Sequence, residues 1–514
     1  MTTRRDSELA KGAIYLAPLA CGSLLPLLTL PIFTRFLTPE DYGVLALAQV
    51  YATFAVGLSH FGLPVGYERN FFQYNTDVQR AELFYSTLAF VTGALLLFGT
   101  ATWLFEDQIS RWIIGSSAHA PLLVWVFCQT GLIGVKGYFL TYFRNTGNAK
   151  AFARCELFDG IATAIVSLVL VAYLRVGVVG LVWGHIAATT LVLLILGYRF
   201  LRTLPVRGSW PILLDSLRLS LPLTPRIFFG VLGTQADKYL IGLLGSTGGV
   251  GIYSIGQRFG NLVFLFMTAL QNVFGPRVYQ LMFELDERGG RAIGAYLTPF
   301  AYLSVAPALV LSLFAEELVA VLTPASFRGA APILMVFSIY FAILFFGKIN
   351  GNQLIFRRKT HITSLLTLAG IVLSLAFSVP MILRWGVIGA AYAALVGGVA
   401  SGIIALALAQ HYYRIEWEWG KLGWIFGLLA GSATLLFVLG GAAYWIHLVI
   451  KLGALGGYGY LGIRQGMFSR ETWTAARDAL VSPRAATAPG ARGTSTQPLG
   501  PVPVRGTAAG PLPS

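Results

Sequence analysis

Two heptapeptides, Gly43-Val-Leu-Ala-Leu-Ala-Gln49 and Gly251-Ile-Tyr-Ser-Ile-Gly-Gln257, decide the architecture of this 514-residue chain. Each reads G-x5-Q, each opens a long apolar run, and they stand 208 residues apart. Two further matches follow in the same order at offsets within 204–209. Arg144-Asn-Thr-Gly147-Asn148-Ala-Lys-Ala-Phe152-Ala-Arg154 is answered by Lys348-Ile-Asn-Gly351-Asn352-Gln-Leu-Ile-Phe356-Arg-Arg358, sharing basic-x2-G-N-x3-F-x-R. Gly177-Val-Val-Gly180 is answered by Gly386-Val-Ile-Gly389. Ordered matches at a near-constant offset mark a duplicated unit.

Outward from these motifs the chain is a series of apolar stretches. Apolar residues are 56% of positions and charged ones 11%, which excludes a water-soluble globular domain. A spanning helix needs about 20 apolar residues. Fourteen runs qualify, near 12–36, 43–66, 83–105, 120–143, 155–174, 177–198, 219–241, 250–274, 294–322, 329–353, 361–383, 386–410, 422–440 and 444–463. Six spans separate the copies, an even number, so both halves have the same orientation and are related by a pseudo-two-fold axis along the membrane normal. The expectation is an all-α integral membrane protein with two pseudo-symmetric six-helix lobes and a substrate path between them. The lobes are residues 1–200 and 201–412; 413–470 adds two helices outside the repeat, and 471–514 is a cytoplasmic tail, disordered from about 482 because its Pro, Ala, Gly, Ser and Thr cannot bury a core.

The net charge of +15 points to topology rather than to nucleic acid, because the basic residues sit in short loops. With the amino terminus inside, 20 Lys and Arg fall in inside segments and 6 in outside ones, which puts both ends in the cytoplasm of a bacterial inner membrane. Arg4, Arg5 and Lys11 precede what reads as an uncleaved first helix. Cys21, Cys128 and Cys155 have no ligand spacing and are read as packing residues. No GxxxxGK[ST] loop is present, which agrees with a secondary transporter without a cofactor.

Charges inside a bilayer cost at least about 2.5–3.5 kcal/mol each, so they face a cavity or a partner. The seventh span stacks Pro222, Arg226, Gly230, Gly233 and Asp237 on one helix face, and the eighth stacks Gly251, Ser254, Arg258, Asn261, Thr268 and Asn272. Such paired polar stripes read as walls of a cationic cavity. Lys348 with Asn350 in the tenth span, Lys136 in the fourth and Arg144 at its end add positive charge, unless Lys348 and Arg144 snorkel to the interface as Lys451 is expected to. Arg suits phosphate because its planar fork offers two parallel donors. Asp237 and Lys238 read as helix-end anchors, and His60 and His185 as packing residues, with proton coupling the alternative.

Three stretches carry a family resemblance: Phe33-Thr-Arg-Phe-Leu-Thr-Pro39-Glu40-Asp41-Tyr-Gly43, Ser220-Leu-Pro-Leu-Thr-Pro225, and Ala236-Asp237-Lys-Tyr-Leu-Ile-Gly242 followed by Gly251-Ile-Tyr-Ser254. Over roughly residues 10–470 the chain resembles the polysaccharide-transport branch of the MOP superfamily, the O-antigen and exopolysaccharide flippases related to the lipid II flippase MurJ and to MATE drug exporters. The resemblance implies alternating access for an undecaprenyl-diphosphate-linked oligosaccharide, with Arg226, Arg258, Lys348 and Arg144 as candidates to hold the diphosphate. It also implies a polysaccharide polymerase and a chain-length regulator as natural neighbours in the membrane. A MATE-type exporter would carry intramembrane carboxylates, of which only Asp237 and Asp159 stand out. A membrane polymerase or ligase would need a large outer loop with a catalytic motif, and the outer loops are short.

Overall fold

The computed structural model describes residues 22, 24–74, 76–439 and 443–467, with the backbone alone at 223, 226, 227, 287, 360 and 437. The start of the expected first span and the tail beyond 467 lie outside the described residues. In chain order the helices are α1 (Leu24–Phe36), α2 (Pro39–Ser59), α3 (Leu63–Gln73), α4 (Asp77–Leu104), α5 (Glu106–Ile113), α6 (Ala120–Asn145), α7 (Ala149–Leu168), α8 (Val178–Thr203) and α9 (Trp210–Ser220). They continue as α10 (Thr224–Leu244), α11 (Thr247–Leu285), α12 (Gly290–Leu313), α13 (Ala315–Leu322), α14 (Ala330–Phe356), α15 (Thr360–Trp385), α16 (Val387–Tyr412), α17 (Trp419–Val438) and α18 (Tyr444–Arg464). The fold is a multi-pass helical membrane protein. Ten of these helices are long and apolar enough to cross a bilayer; α1, α10, α11 and α17 coincide with expected spans but are not among the ten.

Local chemistry sets several boundaries. The second span starts at Pro39 rather than 43, because Thr38 caps it: Asp41 N donates to Thr38 Oγ1 at 3.2 Å, and Thr38 N donates to Asp41 Oδ2 at 2.9 Å. That span stops at Ser59 rather than 66, where Phe61 and Gly62 turn left-handed at φ 46° and 70°. The ninth span is not one helix over 294–322; it breaks at Phe314 into α12 and the eight-residue α13. Its counterpart α5 also has eight residues, and both carry two acids in the first turn, Glu106-Asp107 and Glu316-Glu317, at the positive end of the helix dipole. α11 has 39 residues, roughly 58 Å at 1.5 Å per residue. It outruns a hydrocarbon core of about 30 Å, and its far end is tied down by Tyr413 Oη donating to Asp286 O at 2.8 Å and Arg357 pairing with Asp286 at 3.3 Å. Burial, and after it the Asp286 carboxylate, push the Tyr413 phenol above its ordinary pKa.

The two G-x5-Q motifs meet each other where α2 and α11 begin. A Cβ on Gly43 would lie 1.7 Å from Thr247 O, and one on Gly251 would lie 1.9 Å from Pro39 O. These contacts are the same contact seen from both halves, so only glycine permits the crossing. The caps repeat as well, with Ser246 Oγ accepting from Gly249 N at 3.1 Å as Thr38 does for α2. The third match is also structural. Gly177 and Gly386 both turn left-handed, and Gly180 and Gly389 both press on the preceding helix.

The second sequence match is not structurally equivalent. Gly147 ends α6 in a left-handed turn, but Gly351 lies inside α14. The true counterpart of Thr146-Gly147-Asn148 is Arg357-Arg358-Lys359, which repeats its three backbone hydrogen bonds and its left-handed central residue.

α17 and α18 pack on α12. There Tyr302 Oη donates to Tyr458 O at 2.9 Å, Tyr458 Oη donates back to Tyr302 O, and the rings stack. Lys451 does not snorkel. It is buried and pairs with Glu317 of α13 at 2.5 Å, so its charge is met by a carboxylate within the protein.

Candidate functional site

Each half encloses a cavity, and α11 stands between them. The first, of about 410 Å³, is lined from α1, α2, α6, α7, α8 and α11 by residues including Gln49, Lys136, Glu156, Asp159, His185 and Arg258. The second, of about 460 Å³, is lined from α10, α11, α14, α15 and α16, with Asp237, Lys238, Gln257, Asn261, Tyr340 and Ser374 among its walls. The motif glutamines thus face the cavities of their own halves, while Arg258, one residue past Gln257 and about 100° further round the helix, reaches into the other half's cavity.

The candidate cations separate by environment. Arg258 is half-buried and has no ion-pair partner among the described residues, so its guanidinium is available to an anion. Lys136 is not free. Its ammonium lies 2.6 Å from Asp159 Oδ2 and 2.7 Å from Glu156 Oε1, with side chains 7%, 9% and 28% exposed. Asp159 Oδ1 also accepts from Thr189 Oγ1 at 3.0 Å. Glu156 was missed by the sequence reading and Asp159 given little weight, yet Glu156, Asp159, Thr163 and Ser167 form a stripe on the fifth span by the spacing arithmetic that singled out the seventh and eighth. The carboxylates whose scarcity counted against a cation-coupled transporter are therefore present.

Lys348 sits 5.2 Å over the Phe264 ring, and neither cavity includes it among its walls. Arg144 pairs with Glu68 at 2.9 Å, both side chains half-exposed. Arg226 lies in α10, but its side chain is outside the described residues. Asn261 and Arg258 do not share one wall: Asn261 lines the second cavity. Asp237 accepts from Tyr253 Oη, and from Gln257 Nε2 at 3.5 Å, while Lys238 Nζ donates to Gln235 at 3.1 Å. His185 lines the first cavity, whereas His60 packs against Gly134, with its Nδ1 2.6 Å from Val56 O. The motif residues Pro39, Glu40 and Gly43 form the α2/α11 crossing with Gly251, Glu40 lying over Gly248 at the start of α11.

Duplicated helices around paired internal cavities are the architecture of a membrane transporter. The family described as "Polysaccharide biosynthesis protein" matches residues 9–282, more than half of the chain, and the chain belongs to it. Among curated proteins, the chain is similar to the probable low-salt glycan biosynthesis flippase Agl15 of Haloferax volcanii, 22% identical over 210 residues. That match spans 39% of this chain and 44% of the relative, less than half its length. Among solved structures, the fold is similar to the lipid II flippase MurJ in an inward closed conformation, with TM-score 0.70, 12% identity, and coverage of 89% of this chain and 99% of the other. It is also similar to an inward-facing multidrug resistance MATE family transporter of the MOP superfamily, with TM-score 0.60, 14% identity, and coverage of 77% and 97%.

Proposed function

We propose that the protein is a lipid-linked oligosaccharide flippase. It moves an undecaprenyl-diphosphate-linked glycan from the cytoplasmic to the outer leaflet of the bacterial inner membrane, for O-antigen, capsule or exopolysaccharide synthesis. The observation that carries this reading is the Arg258 guanidinium, without an ion-pair partner among the described residues, in the cavity of a polysaccharide-family member, since a planar cation lining a cavity suits a diphosphate. The Agl15 likeness supports it, because that relative's own description is a glycan biosynthesis flippase.

Residues 1–200 and 201–412 act as the two lobes, 413–470 as an appendage anchored on α12, and 471–514 as a cytoplasmic tail. With both termini in the cytoplasm, the α2/α11 crossing lies at the outer end and holds that side shut. Alternating access then requires this glycine contact to part while the glycan headgroup passes and the lipid tail stays in the bilayer. An inside-negative potential favours outward movement of the anionic headgroup by about 2.3 kcal/mol per charge per 100 mV, so no nucleotide is needed. The protein acts as a transporter rather than an enzyme, beside a polymerase and a chain-length regulator.

The test is reconstitution of the full chain in liposomes with a fluorescent undecaprenyl-diphosphate oligosaccharide. Outward appearance of the label supports the reading. Movement of soluble organic cations alone overturns it in favour of a MATE-type exporter.

A further inference from the structure

The turn from α16 to α17 is fixed by its backbone and leaves two opposite charges unused. Gln410 clamps it, with Oε1 accepting from Ile415 N at 2.7 Å and Nε2 donating to Ile415 O at 3.1 Å. Gln353 of α14 donates to Tyr413 O at 2.6 Å, and Glu416 N donates to Gly290 O at 3.1 Å. The start of α12 comes so close that a Cβ on Gly290 would lie 2.4 Å from Arg414 O, and one on Gly294 2.0 Å from Glu416 O. Held extended in this way, the chain alternates: Tyr413, Ile415 and Trp417 are buried, while Arg414 and Glu416 are exposed. The two charged residues therefore project from the same side, about 7 Å apart along the chain. Neither side chain has an ion-pair or hydrogen-bond partner among the described residues, although Glu418, two positions on, pairs with Lys421 at 2.7 Å.

Both charges line a groove of about 780 Å³. Its long wall is the α16 stripe Ile403, Leu406, Ala407 and Gln410, spaced to share one helix face. Ile403 is 62% exposed on a helix long and apolar enough to cross the bilayer, so this wall is open to acyl chains, whereas His411, Arg414 and Glu416 make the other end polar. Trp419, more than half exposed, supplies an indole of the kind that sits at the membrane interface. Trp417 also lines the groove; it is 6% exposed, and its Nε1 has no hydrogen-bond partner among the described residues, an orphaned donor that a headgroup oxygen would satisfy. An anionic headgroup would use Arg414 and be repelled by Glu416, and a cationic one the reverse. We propose that the groove binds one phospholipid with a zwitterionic phosphoethanolamine headgroup. Arg414 takes the phosphate through its planar fork, Glu416 accepts from the primary ammonium, and an acyl chain lies along the α16 stripe. The bound lipid braces the turn that leads into α17. This goes beyond the flippase reading and holds whatever the protein transports.

The experiment is native mass spectrometry of the full chain, delipidated in detergent and titrated with phosphatidylethanolamine, phosphatidylcholine and phosphatidylglycerol of identical acyl chains. The wild type is expected to bind its first phosphatidylethanolamine about tenfold more tightly than either of the others. Phosphatidylcholine keeps both charges, but its methylated nitrogen has no hydrogen to donate to Glu416, and phosphatidylglycerol lacks the cation. Glu416→Gln is expected to lose the preference for phosphatidylethanolamine over phosphatidylglycerol, and Arg414→Gln to weaken first binding of all three. Arg207→Gln, in the connection between α8 and α9, is expected to behave as the wild type. A wild type without preference among the three lipids, or a preference that both groove variants keep, overturns the proposal. Tighter binding of phosphatidylglycerol overturns it in favour of an anionic lipid. Displacement of phosphatidylethanolamine from this first site by the undecaprenyl-diphosphate oligosaccharide overturns it in favour of a substrate path. Flipping in liposomes is read separately, so either reading can fail without the other.

Discussion

The two halves share a backbone but not a cavity. α2 and α11 carry the same cap, the same crossing glycine and the same cavity-facing glutamine, and the turns after α6 and α14 repeat hydrogen bond for hydrogen bond. Inside, the first half holds a buried ion cluster, while the second is lined by hydroxyls, amides and aromatic rings around Asp237 and Lys238. A duplicated chain is constrained where its copies touch, because a Cβ there has nowhere to go. It is free to diverge where its walls face empty space. Arg258 shows the consequence, since a helix of the second half supplies a cation to the cavity of the first.

The largest effect separating the halves is expected at Lys136. Lys136→Met leaves the buried Asp159 and the part-buried Glu156 without their cation and should cost about 3–5 kcal/mol, seen as a large drop in thermal midpoint. Lys238→Met removes a lysine whose partner is the neutral Gln235 and should cost about 1 kcal/mol. Equal losses would break the contrast between the cavities.

Next in size is the crossing. Gly43→Ala and Gly251→Ala each force a Cβ into opposing backbone and should each destabilise by about 1–3 kcal/mol. The symmetry demands that the two losses match. A tolerated change at one position with a severe one at the other would show that the contact is not shared equally.

The smallest effect belongs to Arg144, whose pair with Glu68 is half-exposed. Arg144→Ala should change stability by less than about 1 kcal/mol and leave flipping close to the wild-type rate.

The membrane fold was legible because apolar runs and ordered motif matches are properties of sequence alone. Two of the three matches fell on glycines held by close backbone approach or a left-handed turn, which is why they survive as readable signal. The Gly351-Asn352 match misled because composition resembled a turn that the backbone forms seven residues later, at Arg358. The candidate site was less legible. Arg258 was found from its stripe, but Lys136 looked like a free cation because its partners sit on another helix, 20 and 23 residues away. Nothing in linear order marks α11 as a wall of both cavities; that follows from where Gly43 and Gly251 let the helices cross.

The central claim is that a lipid diphosphate is carried past the Arg258 guanidinium. It is tested most directly by measuring flipping of undecaprenyl-diphosphate oligosaccharide in liposomes by the wild type and by Arg258→Ala at matched folding and reconstitution. The account predicts that the variant melts like the wild type and flips at least about tenfold more slowly, the loss of a charge-assisted hydrogen bond of about 1.5–3 kcal/mol. A folded Arg258→Ala protein that flips at the wild-type rate would contradict it.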